Sequence, residues 1–234
     1  MNFPQGAAAD PTKGLIMRNS LLATTAALGI AMMPLGAAQA QTPFDWSGFY
    51  AGLHGGFLSG DVNLTGILDG MLGGPISGLI GGPLAGYNFA PTTFFSGPVV
   101  FGVEGDFGLT GATGTGTSQG TDVSIDLYYD LSWDAHLRAR AGVPMGNFMP
   151  FVAGGLAFAD LNITETGGTE TGGAPQGGLY TGWTVGTGAD VALGNNMVGR
   201  AEVLYDDYGT KAYTDYSASL TAWTGRVALI WRLP

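Results

Sequence analysis

Cysteine is absent from this chain of 234 residues, so no disulfide can brace it and no thiolate can serve as nucleophile or metal ligand. Charge is scarce too. Asp, Glu, Lys and Arg together make up 11% of the residues, and the 18 acids outnumber the 8 bases. The resulting net charge of −10 excludes the basic face that nucleic acid requires. No uncharged apolar run reaches the ~20 residues of a spanning helix. The one long charge-free stretch, 70–103, is broken by Pro75, Pro83, Pro91 and Pro98 and is rich in glycine, which a helix in lipid does not tolerate. If the chain enters a membrane, it must do so as a closed barrel.

Residues 1–40 carry the marks of an export signal rather than of fold. Lys13 and Arg18 precede the Ala/Leu-rich run Leu21 to Leu35, and Ala38-Gln39-Ala40 follows as a small-residue cleavage site. Met17 to Ala40 is by itself a complete signal, so Met17 is a second candidate for the start. The expected mature part, 41–234, holds 17 acids and 6 bases, and nothing in it marks a domain boundary.

The most informative stretch of that part is Leu131 to Val143. One register reads Leu131, Trp133, Ala135, Leu137, Ala139, Ala141, Val143, all apolar; the other reads Ser132, Asp134, His136, Arg138, Arg140, Gly142 and holds every charge. Side chains alternate faces along a strand, so this is a two-faced β-strand. The same alternation recurs. Phe49, Ala51, Leu53, Gly55 and Phe57 oppose Tyr50, Gly52, His54 and Gly56. Val99, Phe101, Val103, Phe107 and Leu109 oppose Glu104 and Asp106. Phe148, Val152, Leu156 and Phe158 oppose Phe151, Ala153, Gly155, Ala157 and Ala159, an inward face that is small rather than charged. Trp183, Val185, Thr187, Ala189 and Val191 oppose Asp190; Met197, Gly199, Ala201, Val203 and Tyr205 oppose Arg200, Glu202 and Asp206; Trp223, Val227, Leu229, Trp231 and Leu233 oppose Arg226 and Arg232. A further strand at about 79–89 is weakened by Pro83.

These eight strands are joined by connections that run alternately long and short. The long ones, at 61–78, 111–126, 161–178 and 207–219, are rich in Gly, Thr and Ser and read as loops. Alternation of short turns and long loops, with an even strand number, is the signature of an outer-membrane barrel. The fold expected is therefore all-β: an eight-stranded antiparallel up-and-down transmembrane β-barrel over 41–234. Eight strands leave an interior just filled by side chains.

Charge placement distinguishes lipid from a soluble core. His54, Glu104, Asp106, Asp134, His136, Arg138, Arg140, Asp190, Arg200, Glu202, Arg226 and Arg232 all fall on the inward register, where a polar network would pair them, while the outward register is bare of charge. Trp46, Tyr87, Phe89, Trp133, Trp183, Trp223 and Trp231 are the expected aromatic girdle. Trp223 and Trp231 are eight residues apart, roughly 20 Å along the membrane normal for a tilted strand, near the ~25 Å of the apolar band.

With these residues in hand, the sequence resembles the opacity-type porin family, in particular the outer-membrane immunogenic proteins of alphaproteobacteria, related in architecture to OmpA- and OmpX-type barrels. The resembling segments are 46–52 (WSGFYAG), 100–107 (VFGVEGDF), 137–142 (LRARAG), 150–158 (PFVAGGLAF), 182–186 (GWTVG) and 200–205 (RAEVLY), spread over the whole mature part. The resemblance implies a Gram-negative outer-membrane location with both barrel termini periplasmic. It also implies a structural, surface-antigen or porin-like role. Outer-membrane lipid, lipopolysaccharide and the barrel-assembly machinery are the implied partners, and it carries over no catalytic residue and no cofactor. The family's usual terminal aromatic is replaced here by Trp231-Arg232-Leu233-Pro234.

Ser132, Asp134 and His136 share a column, which invites a hydrolase triad, but i, i+2 neighbours on one strand lie about 6–7 Å apart, too far for a proton relay. His54 and His136 lack ligand spacing for a metal. Among functions, an envelope-integrity barrel with antigenic or adhesive loops stands first. A narrow channel, loop-held ligand such as haem, and a soluble ligand-carrying barrel are the alternatives. Inward arginines argue against the last, because ligand cavities are mostly apolar.

Overall fold

A computed structural model describes residues 44–65, 72–94, 97–119, 124–166, 176–194, 196–212 and 217–233. The export segment expected at 1–40 lies outside the described residues. Among the described residues there are nine strands: β1 (Gly48–Thr65), β2 (Leu72–Asn88), β3 (Thr92–Phe94), β4 (Gly97–Gln119), β5 (Ser124–Gly142), β6 (Phe148–Thr166), β7 (Gln176–Ala192), β8 (Met197–Ala212) and β9 (Ser217–Arg232). Each long strand pairs antiparallel with its sequence neighbour, β1 pairs with β9, and β2 pairs with β4, so eight strands close a ring. β3 stands outside that ring as a short hairpin arm on the start of β4, with Thr92 opposite Val99. Both described ends, near Gly48 and Arg232, lie at the end of the barrel that carries the short turns. One of these turns is fixed by Gly146, whose φ of 65° a residue with a Cβ adopts at a cost.

The strands are longer than the sequence suggests. Much of the four Gly/Thr-rich stretches read as long loops is ladder: β1 runs on to Thr65, β4 to Gln119, β6 to Thr166 and β8 to Ala212. The reason lies in a reversal of polarity. Between the aromatic ends of the barrel wall, the outward face is apolar and the inward face charged. Beyond Trp133 and Trp223 on the loop side, the outward face becomes Ser59, Asp61, Asn63, Thr113, Asp130 and Thr221, while the inward face becomes Leu58, Val62, Leu64, Ile76, Tyr129 and Leu161, all buried. Half-polar strands of this kind need no run of apolar residues to hold their ladder, only a water-facing side and an apolar interior. Glycine and threonine there conceal the alternation.

Three bulges fall at this transition: between Leu109 and Ala112 in β4, between Leu131 and Trp133 in β5, and between Asp207 and Thr210 in β8. Each adds an unpaired residue and shifts the strand's facing. In β5 the extra residue is Ser132, so Leu131, expected on the outward face with Trp133, instead points into the barrel at 0% exposure.

Candidate functional site: the charged layer inside the barrel

The interior is stacked in three layers. Nearest the short turns, Trp46, Tyr50, Leu84, Val100, Met149, Val198, Ala228 and Ile230 form a small apolar cluster. Nearest the loops lies the larger cluster that includes Leu58, Ile76, Ile80, Ala112, Leu127, Tyr129, Leu161, Tyr208 and Leu220. Between them sits the charge.

Alternation on five strands, β4, β5, β7, β8 and β9, aims that charge inward. Arg138 is central. Its guanidinium donates to Glu104 on β4 and to Glu202 on β8 (3.1 Å), with Asp106 3.2 Å away. Arg226 on β9 donates to Glu202 (2.7 Å) and in a fork to Asp106 (2.8 and 3.1 Å). Arg200 binds Asp190 through Nε (2.7 Å) and Nη2 (3.1 Å) and reaches Glu104 through Nη1. Arg140 donates to Asp190 (2.7 Å) and to the Tyr50 hydroxyl (3.3 Å), which itself donates to Glu104 (2.8 Å). Charge-assisted and forked bonds of this kind are the strong ones, and low dielectric strengthens them further. Phe151 underlies the layer, with the Arg140 and Arg200 guanidinium carbons 4.2 and 4.9 Å from its ring centre.

His136 completes the layer on the loop side. Its Nδ1 lies 2.8 Å from Asp106 and its Nε2 3.2 Å from Asp206, a residue at 0% exposure that the sequence reading put on the inward register but not in the network. Its signal was the alternation Arg200, Glu202, Leu204, Asp206, which the neighbouring Asp207 obscured. Asp134 sits a step nearer the loops and accepts a long hydrogen bond from the Tyr208 hydroxyl at 3.5 Å. Among the described residues His54 makes no ion pair; its Nε2 lies 3.3 Å from the Phe107 carbonyl oxygen.

Two expectations fail. Arg232 is not part of the buried layer: it lies at the turn-side rim, donating to the Ser47 carbonyl (2.7 Å), with Asp45 at 3.5 Å. It follows the last full turn of alternation and so meets the entering chain instead of the interior. Trp46 is not in the girdle. It is 4% exposed and folds into the turn-side mouth, where its indole N–H donates to the Gly146 carbonyl and its own carbonyl accepts from Asn88. Being ahead of β1, it has no strand register to hold it outward. Asp45, in the same entering segment, accepts hydrogen bonds from the Ser47 hydroxyl (2.7 Å) and amide (3.0 Å), which hold its carboxyl below the usual aspartate value.

The other aromatics face outward in two groups. At the turn end, Tyr87 meets Phe49 at a tilt and Phe89 edge to face, with centroids 4.6 and 5.2 Å apart, and Trp231 stands alongside on β9. At the loop end, Trp183, Tyr205 and Trp223 form a run at 5.6 and 4.9 Å, and Trp133 stacks on Phe107 at 5.7 Å. The space between is held by exposed aliphatics such as Val227 (61%) and Leu53 (60%). The triad considered for Ser132, Asp134 and His136 is split by the β5 bulge. Ser132 accepts from Asn162 at 3.3 Å in a partly exposed setting, whereas His136 is 3% exposed inside.

Comparison with known proteins agrees with this geometry. The family model for the outer membrane protein beta-barrel domain matches residues 25–229. A 25 kDa outer-membrane immunogenic protein of Brucella abortus is 30% identical over 125 residues, 53% of this chain and 52% of the relative, so the chain spans about half the length of that relative. The 22 kDa outer membrane protein of Rhizobium leguminosarum is 28% identical over 177 residues, covering 75% of this chain and 71% of the relative. Among solved structures, the outer membrane protein OprG of Pseudomonas aeruginosa aligns over 82% of this chain and 99% of its own, with a TM-score of 0.51 at 15% identity.

Proposed function

Because the chain belongs to the outer membrane protein beta-barrel domain family, we propose that it is a sealed structural barrel of the Gram-negative outer membrane that braces the envelope and carries antigenic or adhesive loops at the cell surface. The outer-membrane location follows from the family and from the relatives. The observation that supports the closed, structural reading is the three-layered interior: a paired ionic layer stoppered by apolar side chains above and below, with Arg138, Glu202, Asp206 and Leu220 each at 2% exposure or less. A wall-to-wall packing of this kind stiffens the cylinder and leaves no water path for solutes.

Lipid acyl chains and lipopolysaccharide are the partners of the outward face, since its apolar band ends in aromatic rings at both sides, as interfacial residues do. The barrel-assembly machinery is the partner during insertion. The names of the Brucella relatives call them immunogenic; for this chain a surface-antigen role is carried by the polar extension of the strands beyond the outer ring of aromatics, whose outward face suits water rather than lipid. No enzymatic role is proposed, because the buried His136 and its carboxylates have no access for a substrate.

The test pairs two measurements on the full chain. Antibody raised against the loop peptides should label intact cells, and the purified barrel in planar bilayers should give no stable conductance. A large, steady single-channel current would overturn the sealed reading, and failure to label intact cells would overturn the surface role.

A further inference from the structure

The β2–β4 ladder is interrupted twice along its length, at 78–79 and at 82–83, where the β4–β5, β5–β6 and β8–β9 ladders are each interrupted once. In the β2–β4 ladder the partners run Ile80 with Thr110, Gly81 with Leu109, and then resume at Leu84 with Asp106; Gly82 and Pro83 are passed over. The missing pair is the one that needs a Pro83 amide proton. Proline has none, so the carbonyl of Phe107, which stands opposite, loses its backbone donor. A second proline, Pro75, coincides with a second unpaired step before Ile76, and the β4 bulge at Leu109–Ala112 coincides with a third at Gly78 and Leu79. The other face of β2 is unbroken, each residue from Leu72 to Asn88 having a partner on β1.

A side chain stands where the backbone donor is missing. His54 lies on β1 opposite Gly82. Gly82 leaves its inward position vacant, and a Cβ built there would run into the Phe107 carbonyl. The imidazole crosses that vacancy and brings Nε2 to 3.3 Å from the Phe107 oxygen. A carbonyl only accepts, so Nε2 carries the proton in this contact. Nδ1 is buried without a hydrogen-bond partner, so this is the one hydrogen bond of the ring.

We propose that His54 is a latch on the β2–β4 seam, donating from across β2 to the carbonyl that Pro83 cannot serve, and that this seam is the line along which the barrel wall opens first. The proposal concerns how the wall opens and stands apart from the surface role argued above. His54 acts as a positioning residue: its contribution is to hold β2 against β4, and it exists because of the proline.

The experiment is amide hydrogen exchange by NMR on the isotope-labelled barrel in lipid nanodiscs, with His54→Ala, Pro83→Ala and the double variant. In the unaltered chain, amides of Gly81, Ala85 and Phe107 should exchange faster than those of the β5–β6 ladder. His54→Ala should speed these seam amides by about tenfold or more, the effect of leaving a buried acceptor unsatisfied. In the Pro83→Ala background the backbone donor is restored, and the same His54→Ala change should then have less than about a threefold effect. An equal acceleration in both backgrounds would mean that His54 is merely packed, and would overturn the latch; seam amides as slow as those of β5–β6 would overturn the seam. Should His54→Ala fail to fold, Pro83→Ala alone decides the latch, because it should free the imidazole and shift the His54 Nε2 resonance; an unmoved resonance refutes it.

Discussion

Replacing Arg138 by alanine tests whether the ionic layer holds the barrel together. Arg138 is 1% exposed and touches three carboxylates, Glu104, Asp106 and Glu202. Removing one partner of a buried ion pair costs about 3–5 kcal/mol, chiefly because the other charge is left uncompensated. Here each carboxylate keeps a second cation: Glu104 keeps Arg200, and both Asp106 and Glu202 keep Arg226. The cost should therefore fall at the lower end, about 3 kcal/mol, equivalent to more than a hundredfold in the folding equilibrium. Reversible urea unfolding from phospholipid vesicles, followed by tryptophan fluorescence and by the mobility difference between unheated and boiled samples, measures it. Neutralising one glutamate at the same time, as Arg138→Met with Glu104→Gln, leaves three arginines (Arg140, Arg200, Arg226) facing three carboxylates (Asp106, Asp190, Glu202) and should recover part of the loss, since what costs is the imbalance and not the absence of charge. A loss for Arg138→Ala within about 0.5 kcal/mol of zero, the range of an ordinary surface substitution, would refute the argument that paired charge braces the interior.

Other predictions follow from the same geometry. Val227 is four residues from each of Trp223 and Trp231 on the outward face, so Val227→Arg should cost about 2–4 kcal/mol and impair insertion, whereas Ser219→Arg, beyond the aromatic ring, should insert normally; the yield of heat-modifiable protein in vesicles distinguishes them. Trp46→Ala should empty the turn-side mouth and lower thermal resistance by the ~3–5 kcal/mol of a large buried aromatic, while Trp46→Phe keeps the packing and loses only the bond to Gly146, about 1 kcal/mol. Asp45 has its folded value depressed by Ser47, so its contribution to holding the entering segment is present at neutral pH and is lost as the pH falls below the usual aspartate range; the Ser47 amide resonance should titrate accordingly, and in Asp45→Asn it should not.

Much of this was legible in the sequence because lipid imposes a simple rule on a strand: one face apolar without exception. The 133–143 stretch, the inward arginines at 138, 140, 200 and 226, and the outward tryptophans at 133, 183, 223 and 231 all follow from it. What the sequence obscured lies where that rule stops. Past the outer aromatics the constraint changes sign, and Val62, Leu64, Tyr129 and Leu161 became the inward residues of strands that composition alone marked as loop. The bulge at Ser132 turned Leu131 inward, and no local residue signals a bulge of that kind. At the chain's entry to and exit from the ring, Trp46 is placed by its contacts with Gly146 and Asn88, and Arg232 by its bond to Ser47 in the entering segment, rather than by alternation. Phe151 was read among small inward neighbours, yet it lies under two guanidiniums, a pairing set by the barrel's curvature and visible only once the ring is closed.

The most direct test is an accessibility scan along β9. A chain without cysteine allows single cysteines from 217 to 232, each spin-labelled and reconstituted in lipid vesicles. At positions 223, 225, 227, 229 and 231 lipid-soluble oxygen should broaden the label and a water-soluble nickel chelate should not; at 217, 219 and 221 the order should reverse; at 224, 226 and 228 neither should reach it. Ready collision of the nickel chelate with labels at 224, 226 and 228 would mean an open, watery interior and would contradict the sealed barrel.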